Sequence, residues 1–278
     1  MTENQRTLAS NAIIEAKGTF SNRNVRMEIC PADVNYGIAF EVSLDGKSAI
    51  IPARIENVIE AENRSVIADR NDPDLRVNIT EHMLSAMYGA GVDNALVRVN
   101  AAEIPLIDGS CLPYLLAIEK AGLIEQDAER DEIWIKDPIF IDDDGLIIAL
   151  PHDGLKISYY LDHEAALIGR RIASIEVTRE NFRERIAPAR TYFQANKVPS
   201  MIAVGEVKNT DLSQVLMVYE DKVSQPLRFA NEFCYHKILD VLGDLYLIGR
   251  RIRGHVIGIK SGHKQNRALA KKIAELYL

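Results

Sequence analysis

Cysteine is scarce in this sequence: Cys30, Cys111 and Cys234 are the only three among 278 residues, and they lie far apart. An odd, widely spaced set excludes both a disulfide framework and a cysteine zinc motif. Positive charge is also short. Lys and Arg number 33 against 40 Asp and Glu, a formal net charge of −7. That balance disfavours generic nucleic-acid binding, although a local basic patch stays open. No run approaches ~18 apolar residues, so no transmembrane segment is expected. The opening stretch MTENQRTLAS has no apolar signal core. A reducing, cytoplasmic setting is the resulting expectation. The His-Glu-x-x-His pattern of single-helix zinc proteases is absent as well.

What remains is ordinary for a soluble globular chain: 47% hydrophobic and 26% charged residues. The length suggests about two domains. The polar run Glu125 to Glu132 reads as a linker, which divides the chain into residues 1–124 and 133–278. In the first part Val25, Met27 and Ile29 alternate with Arg26 and Glu28, as in a half-buried strand. Tyr36–Leu44 and Ala49–Ile55 look similar, with a turn at Asp45-Gly46. A helix is expected from Asn78 or Thr80 to Gly89 or Gly91, then a strand at Asn94–Val99. A second, short helix stops at Gly122. The other part starts again with strands and a short helix near Arg179–Arg185. It ends with a strand at Gly254–Lys260, a turn at Ser261-Gly262-His263 and a closing helix. Both parts share an order: strands, a helix with a His in its early turns, then a strand. A duplicated unit is the expectation, with helix layer packed on helix layer.

The stretch Asn231 to Arg250 reads as one helix with two faces. At ~100° per residue Cys234, Ile238, Val241, Leu242 and Leu245 share an apolar side. His236, Lys237, Asp240, Gly243 and Asp244 share the other. His236 and Asp240 are four apart, so they stack one turn over the next and can grip one ion. Imidazole plus carboxylate suits zinc; a solvated face with a weak His–Asp pair is the competing reading. Glu81-His82 is a second place of interest. Neighbours on a helix point ~100° apart, so one can bind a metal while the other reaches its water. A Glu-His dipeptide is common by chance, and alone it reads as a surface pair. His82, His236 and Asp240 together would make a two-His, one-carboxylate set drawn from two helices. His263 is a third place. Asp244 could orient its ring and raise its pKa, as an acid for a leaving amine requires; a plainly structural histidine is the alternative. His152, His163 and His255 lack comparable neighbours and are set aside.

Thr80-Glu81-His82, Val92-Asp93-Asn94 and the Glu103–Ser110 loop belong to one pattern. So do Ala189-Arg190-Thr191, His236-Lys237-Ile238-Leu239-Asp240, Gly243-Asp244-Leu245 and Lys260-Ser261-Gly262-His263. Together, in order and spacing, they resemble the zinc-dependent UDP-3-O-acyl-N-acetylglucosamine deacetylases of lipid A synthesis. The resemblance implies an α+β fold: two similar two-layer α/β sandwich domains packed helix layer to helix layer, with a zinc site in the cleft between them. It implies His82, His236 and Asp240 as zinc ligands, Fe²⁺ being an acceptable substitute, and Glu81 as general base. It implies His263 as the acid, Asp244 as its orienting carboxylate and Thr191 as an oxyanion partner. Lys237 and Lys260 match substrate-facing positions, and Asp108 a supporting loop acid. The implied partner is a small acylated nucleotide sugar, and a monomer is expected. The departures concern substrate. Ala16–Asn22 stands where the family has a Gly-x-Gly-Leu-His-x-Gly run, with Thr19 in place of an apolar residue. Tyr160-Leu161 and Tyr192-Phe193-Gln194 also differ, and Gln194–Ser213 lacks a clear Gly-rich acyl passage. A diverged deacetylase of another N-acetylated sugar, and a non-catalytic binding protein of the same fold, are the alternatives.

Overall fold

The computed structural model describes residues 3–203 and 212–278. Residues 204–211, within the segment read for an acyl passage, lie outside the described residues.

Two sheets hold most of the strand residues, and they are built alike. The first has the strand order Ala12–Lys17, Asn24–Pro31, Ala95–Val99, Ile38–Leu44, Lys47–Pro52. The second has Ile139–Asp142, Leu146–Leu150, Arg251–Ile259, Leu155–Asp162, Arg170–Glu176. Glu132–Trp134 adds to Arg251–Ile259 as a parallel partner. Each sheet is two antiparallel hairpins with a late strand inserted between them. That strand runs antiparallel to the first hairpin and parallel to the second. In each case it directly follows a buried helix, Thr80–Ala90 or Glu232–Tyr246. The expected common order of strands, helix and strand thus appears as one shared topology.

Alternation explains the strands. Val25, Met27 and Ile29 are fully buried while Arg26 points out. Arg251–Ile259 alternates without a break between buried and half-buried positions. Each such pattern lays one apolar face toward helices.

The helices behave differently from surface amphipathic helices. Every residue of Thr80–Ala90 is buried. The helix stops at Gly91, whose left-handed φ of +87° lets its N–H return to the Met87 and Tyr88 carbonyls. Glu232–Tyr246 is shorter than the expected Asn231–Arg250. Its last turn tightens: Leu247 N bonds the Asp244 carbonyl, and Gly249 at φ +78° closes back on Tyr246. The closing helix begins at His263, one residue earlier than expected, with the Gln265 side chain accepting the Gly262 N–H at 2.9 Å.

Two further segments gain detail in the structure. Most of the stretch read as a linker is a strand: Leu123–Glu129 pairs antiparallel with Asn4–Leu8. Its charges do not prevent this, because such a two-stranded ribbon leaves one side in water, where Glu125 meets Arg6. The short helix near Arg179–Arg185 is one α-turn, Arg179–Asn181, followed by a π-turn, Phe182–Ile186. That turn buries Phe182 directly against Gly89.

The two buried helices touch at Gly243. A Cβ built there would sit 2.1 Å from the Glu81 carbonyl oxygen. Only a residue without a side chain permits this approach. Gly243→Ala should therefore destabilise the protein by about 1–3 kcal/mol through overpacking, read as a fall in urea midpoint. An unchanged midpoint would mean that the helices are free to separate there.

Candidate active site

A cleft of about 1000 Å³ opens beside this helix contact. Glu81, His82, Thr191, His236, Lys237, Asp240, Lys260 and His263 all line it. Asp244 lies buried directly behind His263. Asp108 is not among the lining residues. Its carboxylate accepts from Ser110 and pairs with Arg228 at 2.7 Å, which fixes the 103–110 loop.

Several of these groups are delivered by strained backbone. Ile79, Ile107, Asn231 and Lys260 have φ between +55° and +64°. Each immediately precedes a site segment: Thr80-Glu81-His82, Asp108, the Glu232–Tyr246 helix, or Ser261-Gly262-His263. For β-branched Ile79 and Ile107 this conformation is costly, and such outliers gather where the surrounding fold dictates geometry.

His82, His236 and Asp240 form a buried trio whose donor atoms all lie within 4.8 Å of one another. The His82 and His236 rings are 5.1 Å apart, and His236 Nε2 is 3.4 Å from Asp240 Oδ1. His236 Nδ1 faces the Ala189 carbonyl at 3.2 Å. A carbonyl can only accept, so Nδ1 carries the proton and Nε2 keeps its lone pair. Burial pushes His82 down to about 3, with the neighbouring His236 adding to the effect. Burial likewise lowers His236, against the pull of Asp240. Burial alone would raise Asp240, but His236 and Lys237 outweigh it and keep it below the usual carboxylate range. Two neutral imidazoles and one carboxylate are the ionisation states that a divalent metal requires of its ligands. The donor set fits such an ion.

The remaining groups are also tuned. Burial pushes Glu81 up to about 7, with Asp244 and Asp240 adding to it and His263 opposing. Burial would lower His263, but Asp244 and Asp240 raise it to about 9. Its Nδ1 bonds Asp244 Oδ2 at 2.8 Å. Burial works against charge on Lys237 too, yet its 2.7 Å contact with Asp240 holds the ammonium above its ordinary value.

Thr191 is anchored through its backbone. Its N–H reaches the Gly109 carbonyl at 2.7 Å, and its carbonyl accepts from Leu216 N at 2.9 Å. The preceding Arg190 forms a buried pair with Glu232 at 2.7 Å, with side-chain exposures of 6% and 0%.

The structure also brings in residues to which the sequence reading gave no role in the site. His163, set aside there, lines the cleft, as do Tyr192 and Arg267. His152 and His255 do not; they bond Glu176 and Ser158. Ser65 and Asn266 are buried and both bond Asp244. Ser65 lies in no motif, and nothing in its neighbourhood of sequence points to Asp244, 179 residues away.

With this geometry in view, the likeness to known proteins is informative. A family model described as LpxC, UDP-3-O-acyl N-acetylglycosamine deacetylase, matches residues 5–275. The chain belongs to this deacetylase family. A curated relative, the bifunctional enzyme LpxC/FabZ of Porphyromonas gingivalis (strain ATCC BAA-308 / W83), is 31% identical over 301 residues. The alignment covers 98% of this chain but 64% of that protein, so the chain spans just under two thirds of its relative's length. Within the deacetylase family's matched span lie all ten site residues expected from sequence. Among the described residues, no helix is long and apolar enough to cross a membrane.

The buried Arg190–Glu232 pair gives a stability test of the site's frame. Glu232→Ala would leave a guanidinium without its partner, at a cost of about 3–5 kcal/mol. Chemical denaturation should show that loss. A change below about 1 kcal/mol, the range of exposed pairs, would mean the pair is not what anchors Thr191.

Proposed function

We propose that this protein is a zinc-dependent deacetylase that hydrolyses the N-acetyl group of a UDP-3-O-acyl-N-acetylglucosamine, releasing acetate, in lipid A biosynthesis. One observation carries the reading. The buried His82, His236 and Asp240 donors share a cleft with a carboxylate tuned to about 7 and an imidazole tuned to about 9. Family membership supports it.

An N-acetyl amide resists hydrolysis, so the site must activate water, stabilise an oxyanion and protonate the departing amine. His82, His236 and Asp240 would hold the ion. When bound, zinc supplies a Lewis acid that acidifies water and polarises the amide carbonyl; Fe²⁺ suits the same donors. Glu81 takes the water's proton. The Thr191 hydroxyl donates to the developing oxyanion. His263, oriented by Asp244, gives its proton to the nitrogen as the C–N bond breaks. The products are acetate and a free amino sugar. Lys237 and Lys260 hold the polar part of the substrate, and Asp108 supports the loop beneath it.

We read the chain as two similar α/β units, residues 1–124 and 133–278, joined through 125–132 and packed helix on helix around this cleft. We read it as a monomer, and a reducing, cytoplasmic setting fits three buried, unpaired cysteines.

A second reading keeps the chemistry and changes the substrate to another N-acetylated sugar. Thr19 favours it. This residue is fully buried, accepts from Leu106 N at 2.9 Å and donates to Gln214 Oε1 at 2.8 Å. A polar clasp thus stands where the family has an apolar side chain.

Three measurements test these readings. Protein as isolated should hold one zinc or iron per chain by elemental analysis, and His236→Ala and Asp240→Ala should lose it; metal retained in both would remove them as ligands. Glu81→Ala should keep the metal and lose turnover by about 10²–10⁴-fold, whereas undiminished acetate release would exclude Glu81 as base. Shortening the 3-O-acyl chain should lower kcat/KM steeply if that chain is recognised. Indifference to its length would favour the other N-acetylated sugar.

A further inference from the structure

Ser65 lies just before the Val66–Ala68 strand and is fully buried. Its backbone N–H donates to Glu81 Oε2 at 3.0 Å. Its hydroxyl makes a short hydrogen bond with Asp244 Oδ1. Arg267 Nη1 lies 3.4 Å from the same hydroxyl oxygen and 2.9 Å from the Arg64 carbonyl. A guanidinium only donates, so the Ser65 oxygen accepts from Arg267, and its single hydrogen is left for Asp244. Asp244 Oδ2 meanwhile receives His263 Nδ1 and, at 2.9 Å, Asn266 Nδ2. Both carboxylates of the reacting apparatus therefore rest on one residue, Glu81 on its N–H and Asp244 on its O–H.

We propose that Ser65 is a positioning residue that sets Glu81 and the Asp244–His263 pair in fixed relation. The inference rests on the deacetylase reading for the roles of Glu81 and His263. Ser65 is not among the residues that line the cleft. The two arms act differently. The N–H holds Glu81 whatever side chain stands at 65. The hydroxyl occupies Asp244 Oδ1, which leaves Oδ2 turned to the His263 ring. Without it Asp244 is held only at Oδ2, by Asn266 and His263, so the carboxylate turns more easily and the His263 ring is aimed less firmly. Ser65 also fixes the start of the Thr80–Ala90 helix, because its carbonyl accepts from Thr80 N at 3.3 Å.

Removing the hydroxyl alone separates positioning from folding. In zinc-loaded protein, Ser65→Ala keeps the bond to Glu81 and should lower kcat by roughly 10- to 100-fold, the usual loss when such a supporting partner is removed. KM should stay near that of the parent, because ground-state binding is untouched. Ser65→Thr restores the hydroxyl and should recover most of kcat. The proton resonance of His263 Nδ1–H, assigned by its loss in His263→Gln, should move in Ser65→Ala and return in Ser65→Thr. Added to Asp244→Asn, Ser65→Ala should cost nothing further. Parent-like kcat with an unmoved resonance in Ser65→Ala overturns the proposal. So do additive losses in the double variant, which decide the matter if Ser65→Thr does not fold. If the parent itself releases no acetate, the deacetylase reading fails separately, and an unmoved His263 resonance still overturns the role of Ser65.

Discussion

The contact on which the rest depends is the one between Gly243 and the Glu81 carbonyl. Two helices that come this close cannot carry side chains between them at the crossing. The polar groups beside the crossing, His82 from one helix and His236 and Asp240 from the other, are thereby brought within reach of each other. A wider separation would leave two unrelated polar faces, each hydrated. The close one removes water from both and forces their charges to answer to one another.

That removal of water is what tunes the site. Burial is the largest influence on Glu81, His82, His236, Asp240 and His263 alike, yet it moves them in different net directions. Burial raises the acids and lowers the histidines, and the charges around each group then reinforce or reverse that push. Asp240 has three histidines, His236, His263 and His82, and Lys237 around it and stays charged. Burial pushes Glu81 toward the neutral form against His263, and Asp244 and Asp240 add to the push. His263 is the exception among the histidines because two carboxylates face it. Leaving such groups buried and unpaired would be expensive. The site avoids this by giving nearly every charge a partner: Lys237 for Asp240, His263 for Asp244, Arg190 for Glu232.

Backbone strain and topology supply the rest of the precision. Four non-glycine residues in left-handed conformation stand immediately before site segments. The fold holds them there through hydrogen bonds that originate far away in sequence, such as Ser65 to Thr80 and Gly109 to Thr191. The shared order of the two sheets explains why the site is built from helices in equivalent places. In each, the helix runs into a strand that must slot between two finished hairpins, which leaves little freedom in where the helix lies.

Periodicity alone determined most of the elements: the alternating strands, the helix of residues 80–90 and the opposed faces of the 232–246 helix. The candidate metal-binding groups were legible too, because His236 and Asp240 lie one helical turn apart and Glu81-His82 opens another helix. Local spacing carries that information directly. It failed where pairing, not pattern, decides. The acidic run after Leu123 becomes a strand because Asn4–Leu8 lies alongside it, and the 232–246 helix ends early because Leu247–Gly249 closes its last turn. Nor could spacing reveal Ser65, whose importance comes from touching Glu81 and Asp244 at once across 16 and 179 residues. The chemistry of single residues is local and legible. The desolvation that tunes them, and the neighbours that hold them, exist only once the helices have met.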